Sequence, residues 1–539
     1  MSLMRPIFAG LLLSGLVYPQ PMNAQTTPAQ TPPTADQAPT IVVNSRLVFL
    51  DVTVLDKKGN PVVTGLAKKD FTITQDRKPR SIFSFEPPET HLGANEADDN
   101  PSGKAPITVF VLDQLNSTFE QMAYIRYCVH KYLAKQPARL SAPAEVMVLG
   151  NRSLEMVQAF TRNKADLLSA VDHLPGAIPY KLEPSFFEDR FEQSIEALQE
   201  IALQNSGIPG RKNIVWVGHG GPSLYLDSAE LGQTAVNEVN QFVHQTTNML
   251  VDSRMSLFVI YPGLQVRSRG IMPMSELSAS ADIGDSDPFA GDVNFGVFVN
   301  ATGGKLFFNR NDIDAEIQSS ENLGSHYYTL TYQPPHGESD GRFTRIRVNL
   351  SDRSLRAVTK AGYFAPDSKV PIDPQAQANA EMVDAAHSTL SFGGLSTTAT
   401  AVAQHPDTHT GDFKLDVRSK NIDWQPIQDG NSATEIDVLA VSLSDSRDIL
   451  AFKDEALQLT AHTQDPTHLI KVQNILPISL RIPRKTRTIR FVLRDPANNR
   501  MGTVEVPRQI LDGLPETPTP PPALLTQHRT TPPPPTPQP

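Results

Sequence analysis

The sequence predicts an α/β domain with a doubly wound sheet, inserted between β-sandwich segments and followed by a separate all-β domain. Three observations carry this. A chain of 539 residues is too long for one hydrophobic core, since cores stop growing near ~250–300 residues. Its middle alternates short apolar runs with amphipathic helical stripes, the pattern of parallel strands covered on both faces. On either side, apolar residues recur at every second position between turn signals, as in half-exposed antiparallel strands.

Arg5 precedes an apolar run from Ile7 to Val17, and Ala24 offers a small residue for cleavage, so residues 1–24 read as a secretory signal. The run falls short of the ~20 residues that a bilayer-spanning helix needs. The mature chain is therefore expected in the periplasm or outside the cell, with no stable membrane span. Residues 25–40 and 511–539 are rich in Pro, Thr and Gln and are expected to be disordered spacers. The single cysteine, Cys128, cannot form an intramolecular disulfide and lies on a helical stripe with Met122, Ile125 and Val129, as a core residue would.

Residues 41–90 read as short antiparallel strands, with turns at Lys58-Gly59-Asn60 and Thr64-Gly65. So small a segment cannot bury a face alone, and it is expected to complete a sandwich with residues 325–365. Between them, residues 105–324 alternate strand and helix. The strand Ile107 to Leu112 ends at Asp113; a helix then opens at the capping box formed by Thr118 and Gln121. Further strands are expected at Glu145 to Leu149, Glu155 to Phe160, Asn213 to Val217 and Ser256 to Tyr261, and a last one near Gly303 to Phe308. A helix opening at Ser185, with Glu188 three residues on, and a long helix through Val236 to Leu250 fall between them. Residues 262–292 lack periodicity and read as a loop over the strand ends, where wound sheets place their ligands. Residues 366–385 read as a linker, and residues 386–510 as a β-rich domain in which Trp424 is a core residue.

Three passages resemble a known family over residues 41–365. They are Leu50-Asp51-Val52-Thr53-Val54 with the turn after it and Asp70-Phe71; the strand ending in Asp113 with Leu115-Asn116-Ser117; and Tyr327 to Tyr332 with Arg345-Ile346, Leu355-Arg356 and Gly362-Tyr363-Phe364. The family is the von Willebrand factor A-related secreted proteins, known mainly from acidobacteria. The resemblance implies a von Willebrand factor A-like domain flanked by β-rich segments. It also implies a divalent cation above the strand ends, held by an Asp-x-Ser-x-Ser motif, a Thr from a later loop and an Asp after the fourth strand. Asp113 and Ser117 match the first and third motif places, while Leu115 removes the second oxygen. Ser185 stands for the Thr, or is a helix cap, and His219 stands for the second Asp. Such a degenerate set is expected to bind Mg, Mn or Zn only weakly, because one carboxylate offsets little of the ion's charge and imidazole suits Zn or Mn better than Mg.

The net charge of −10 comes with no basic block, which argues against a nucleic-acid partner. His219-Gly220-Gly221-Pro222 is similar to an oxyanion loop, but the mature chain has no Gly-x-Ser-x-Gly nucleophile turn to serve it. It also lacks a His-Glu-x-x-His zinc signature and a phosphate-cradling loop. A secreted, non-enzymatic binding or adhesion protein with an extracellular or periplasmic protein partner is the leading reading. A structural part of an envelope assembly is the alternative, and a hydrolase ranks below both.

Overall fold

Alternating burial in β1 (Val48–Leu55) turns Leu50, Val52 and Val54 into a core, and three further strands follow it: β2 (Phe71–Gln75), β3 (Lys78–Arg80) and β4 (Ile82–Glu86). The computed structural model describes residues 47–91, 105–176, 186–224, 232–262, 293–307, 312–335, 340–367 and 373–514. The expected signal, the two Pro-rich segments beyond residue 514 and before residue 41, the loop from residue 263 to 292, and Ser185 lie outside the described residues.

The wound sheet begins at β5 (Ile107–Asp113), buried throughout. The helix α1 (Phe119–Ala134) has the expected capping box: Gln121 N donates to Thr118 Oγ1 at 3.3 Å, and Thr118 N donates to Gln121 Oε1 at 2.9 Å. There follow β6 (Arg139–Leu149), β7 (Leu154–Asn163), α2 (Lys164–Asp172), α3 (Phe187–Gln204), β8 (Lys212–Val217) and α4 (Gln233–Asp252). The last elements are β9 (Met255–Ile260), α5 (Phe295–Thr302), β10 (Lys305–Phe307) and α6 (Ile313–Ser325). The six strands lie in the order β10-β9-β8-β5-β6-β7, parallel except for the antiparallel edge strand β7. Because successive side chains alternate faces, Val109, Val111, Ile214 and Trp216 pack on one side with residues of α3, α4 and α5. Phe110, Leu112, Val215 and Val217 pack on the other with α1, α2 and α6, and Cys128 is buried there.

After this insertion the chain returns as β11 (Tyr328–Tyr332), β12 (Phe343–Leu350), β13 (Arg356–Val358) and β14 (Gly362–Phe364). Two four-stranded sheets result, β13-β1-β11-β4 and β14-β12-β2-β3, each combining strands from before and after the wound sheet. Their facing side chains share one core of Leu50, Val52, Ile73, Leu330, Ile346 and their neighbours, with Phe71 and Tyr328 rings 5.3 Å apart across it. The stretch after Leu355 is divided between the two sheets, β13 in one and β14 in the other. Ala361 N donates to Ala301 O at 3.0 Å, so the chain is drawn to the end of α5 between the two pairings.

The sandwich sits at the amino ends of the wound strands. Arg254, just before β9, pairs with Asp51 of β1, with Nε donating at 3.0 Å. Arg211, just before β8, donates to Thr53 Oγ1 at 2.7 Å, and its own N–H reaches the Tyr327 hydroxyl at 3.2 Å. Burial opposes ionisation of Asp51, but the Arg254 charge and hydrogen bonds outweigh it and hold its carboxyl below the ordinary range.

The segment expected to be a linker, residues 366–385, instead contains α7 (Pro374–His387). Asp373 caps it by accepting from Gln375 N at 2.9 Å, and Pro374 suits its first turn. Its Ala378, Met382, Ala385 and Ala386 are buried, so an Ala-rich stretch read as polar spacer is an amphipathic helix with small core residues. The β-rich domain that follows has β15 (Thr397–His405), β16 (Thr410–Arg418), β17 (Gln425–Pro426), β18 (Ser432–Leu443) and β19 (Ile449–Ala461). It is completed by β20 (Gln473–Arg481), β21 (Thr488–Asp495) and β22 (Arg500–Pro507). One sheet is β15-β16-β20; the other joins β17, β18, β21 and β22, with β19 on β18. Trp424 is half-buried against their common core.

This domain is packed on the wound domain through a continuous core that includes Leu439, Val441, Val492 and Met501. Gly207 adopts φ +72°, and a Cβ there would lie 2.4 Å from Asn498 O, so the close approach of the two backbones requires glycine. Arg500 donates to Gly207 O at 3.1 Å. Gln204 joins the domains at depth, donating to Ser391 O at 3.1 Å and to Glu145 at 3.0 Å.

Two outcomes follow from these junctions. Asp51→Ala leaves the Arg254 guanidinium unpaired in a mostly buried place, and unfolding measurements should show a loss of about 3 kcal/mol. Burial pushes the Glu145 carboxyl up to about 8, whereas an unfolded glutamate titrates near ~4.3. Between those values the folded protein keeps a proton that the unfolded chain has released, so this residue's contribution to stability falls as pH rises. Glu145→Gln should therefore melt higher than the parent at about pH 8.5, with the gain shrinking towards pH 5; an equal difference at both would contradict the assignment.

Candidate functional site at the carboxyl end of the wound sheet

Asp113 is the last residue of β5, and its side chain is wholly enclosed. Oδ1 accepts from the Asn116 backbone N–H at 3.0 Å and from Asn116 Nδ2 at 3.1 Å. Oδ2 accepts from Asn116 Nδ2 at 3.2 Å, from the Trp216 indole at 3.1 Å and from Gly220 N at 2.9 Å. A carboxylate offers about four lone-pair sites. These contacts use them up. Burial pushes the Asp113 carboxyl above its usual range, opposed by the donors on Trp216, Asn116 and Gly220.

Each donor is placed by the fold. Trp216 lies in β8 with no exposed surface, its ring 4.8 Å from that of Phe295. A Cβ on Gly218 would lie 2.3 Å from that of Asp113, so β8 can end this close to β5 only with glycine. Gly220 turns the chain at φ +69° against the Phe295 ring and aims its N–H at Asp113. Asn116 is also tied to α3: Nδ2 donates to Ser194 Oγ at 3.0 Å, Oδ1 accepts from Arg190 at 3.4 Å, and Ser194 Oγ donates to Arg190 O at 2.7 Å. Leu115 is buried in the hydrophobic core on the α3 side.

Ser117 is buried too, and its hydroxyl has no hydrogen-bond partner. His219 is half-buried, with Nε2 3.3 Å from Gln121 Nε2 and the ring edge-on to Tyr261 at 4.2 Å. Its Nδ1 is buried without a partner. Burial, then the Arg190 charge, push its pKa down to about 4, so the imidazole is neutral near pH 7. Asp113, Ser117 and His219 thus share one end of the sheet, while Ser185 lies outside the described residues.

These residues do not fit a divalent cation. The one carboxylate is turned onto protein N–H donors, and the second acid is replaced by an imidazole. Among the described residues, no group of three or more His, Cys, Asp or Glu side chains could hold a metal ion. The residues that sequence reasoning missed are Asn116, Trp216, Arg190 and Ser194. A buried asparagine beside the motif aspartate was the only local sign of them.

The strand order, the antiparallel edge strand and the helices on both faces define a doubly wound α/β domain. No family model and no curated protein matches the chain. Solved structures do match, among them a crystal structure of the SpRpn10 VWA domain. It is 14% identical, covers 34% of this chain and 98% of that one, and has a TM-score of 0.17.

Two substitutions separate the roles of these side chains. Asp113→Ala strips the acceptor from three buried N–H groups besides the Asn116 amide, and denaturant unfolding should show a loss of at least about 3 kcal/mol. Ser117→Ala removes a hydroxyl that has no partner and should change stability by less than about 1 kcal/mol in either direction. A Ser117→Ala loss as large as that at Asp113 would mean that the hydroxyl is engaged.

Proposed function

We propose that this is a secreted binding protein that engages a protein partner through the carboxyl end of its wound sheet, without catalysis. One observation carries the reading: α1 rises from the Asp113 site with Phe119 73% and Tyr127 61% exposed. Residues eight apart lie near one face of a helix, so the two rings form an apolar stripe with Ala123 between them. Aromatic side chains that stay exposed at no structural gain are the kind that anchor protein interfaces. The sandwich docks at the opposite ends of the strands, and the C-terminal domain packs beside α3, so neither covers this stripe's helix through the ties described above. Residues 262–292, which lie between β9 and α5 in the sequence, enter the test because their lack of periodicity reads as a loop over the strand ends.

The test is capture of a partner from an extracellular or periplasmic extract by the mature chain, with Phe119→Asp/Tyr127→Asp and a deletion of residues 263–292 as comparisons. Both positions are exposed, so the double variant should keep its melting temperature and lose at least about tenfold in affinity, as loss of two aromatic anchors implies. Retained binding in both variants, with loss after changes on the C-terminal β domain, would move the interface there and favour the envelope-assembly reading.

A further inference from the structure

We propose that the Asn116 side-chain amide and the Arg190 guanidinium do the work of a divalent cation at this site, so that the loop after β5 keeps its geometry with no ion bound. The inference does not rest on the partner reading. It follows from what a buried carboxylate needs: a charge taken out of water must be paired and hydrogen-bonded. Asp113 meets the hydrogen-bonding need with N–H donors from β8, from the turn after it and from its own loop. Positive charge is supplied one step away by Arg190, itself only 6% exposed, through the Asn116 amide.

Asn116 is the centre of this arrangement because an amide can face both ways. Its nitrogen donates to the carboxylate and to Ser194, while its oxygen accepts from the guanidinium. An ion approaching Asp113 would have to displace the amide from both carboxylate oxygens and then sit near a fixed positive charge. Neither cost is offset by a second acid at His219 or an oxygen at Leu115. The same arrangement explains why Leu115 is tolerated in the motif: with no ion to coordinate, that position is free to fill the core under α3.

The full mature chain can be melted in EDTA and in about 5 mM Mg or Mn, a concentration at which a site with a dissociation constant near 50 μM would stabilise the fold measurably. The parent should melt at the same temperature in all three conditions. Asn116→Asp, nearly identical in shape, puts a second carboxylate against Asp113. It should melt several degrees lower in EDTA and recover part of that loss in Mn. A saturable rise of the parent's melting temperature in Mg or Mn would overturn the proposal, as would an Asn116→Asp chain that melts like the parent in EDTA. If that variant does not accumulate as folded protein, Mn titration of the parent followed by electron paramagnetic resonance decides: free Mn throughout supports the proposal, and stoichiometric uptake abolished by Asp113→Asn overturns it.

Discussion

The pairing of Asp51 with Arg254 is the interaction on which the arrangement of the molecule turns. It joins the first strand of the sandwich to the amino end of the wound sheet. The wound domain is an insertion between strands of that sandwich, so the two chain segments that lead into and out of it must return to the same place. The sandwich cannot close unless β1 meets β11, and their register from Val48 with Tyr332 to Val52 with Tyr328 carries Asp51 opposite Thr329. With the amino ends of the parallel strands occupied in this way, their carboxyl ends are directed away from the sandwich. A strand of about seven residues rises ~3.3 Å per residue, which puts some ~20 Å between the two ends.

That separation frees the far end of the sheet for a different chemistry. At the amino end, two arginines, an aspartate and several hydroxyls satisfy one another across a domain boundary. At the carboxyl end, one aspartate is satisfied by amide and indole N–H groups within a single domain. Both are made tolerable by dense hydrogen bonding; glycine is required beside Asp113 at Gly218, and separately at Gly207 where the wound domain meets the C-terminal domain. The shared core between α3 and the C-terminal strands makes the wound domain and the β-rich domain one packed body around the loop that holds Asn116.

Much of this was legible in the sequence because it is local. The period-two runs, the buried strands ending at Asp113 and Val217 and the Thr118 capping box each depend on residues a few positions apart. The departure at Leu115 also announced that an oxygen was missing. What was not legible depends on partners distant in the chain. Asn116 gains its role from Arg190 and Ser194, more than seventy residues later, and Trp216 becomes a donor only because β8 lies beside β5. The helix at Pro374 was hidden because its buried face is largely alanine, which leaves too little hydrophobic contrast for periodicity to register. The Asp373-Pro374 cap was the available signal. The division of the strand after Leu355 is likewise set by a hydrogen bond to α5, not by its own sequence.

The central claim is that the carboxyl end of the wound sheet is organised by the chain's own side chains, with no ion needed to hold it. The amides of Asn116 and Gly220, which both donate to Asp113, report on it directly through hydrogen–deuterium exchange of the protein with and without divalent ions. The account predicts slow exchange at both positions, at rates unchanged between EDTA and Mg or Mn. Exchange that is fast in EDTA and slows when the ion is added would show that a cation, not Asn116 and Arg190, holds this end of the sheet together.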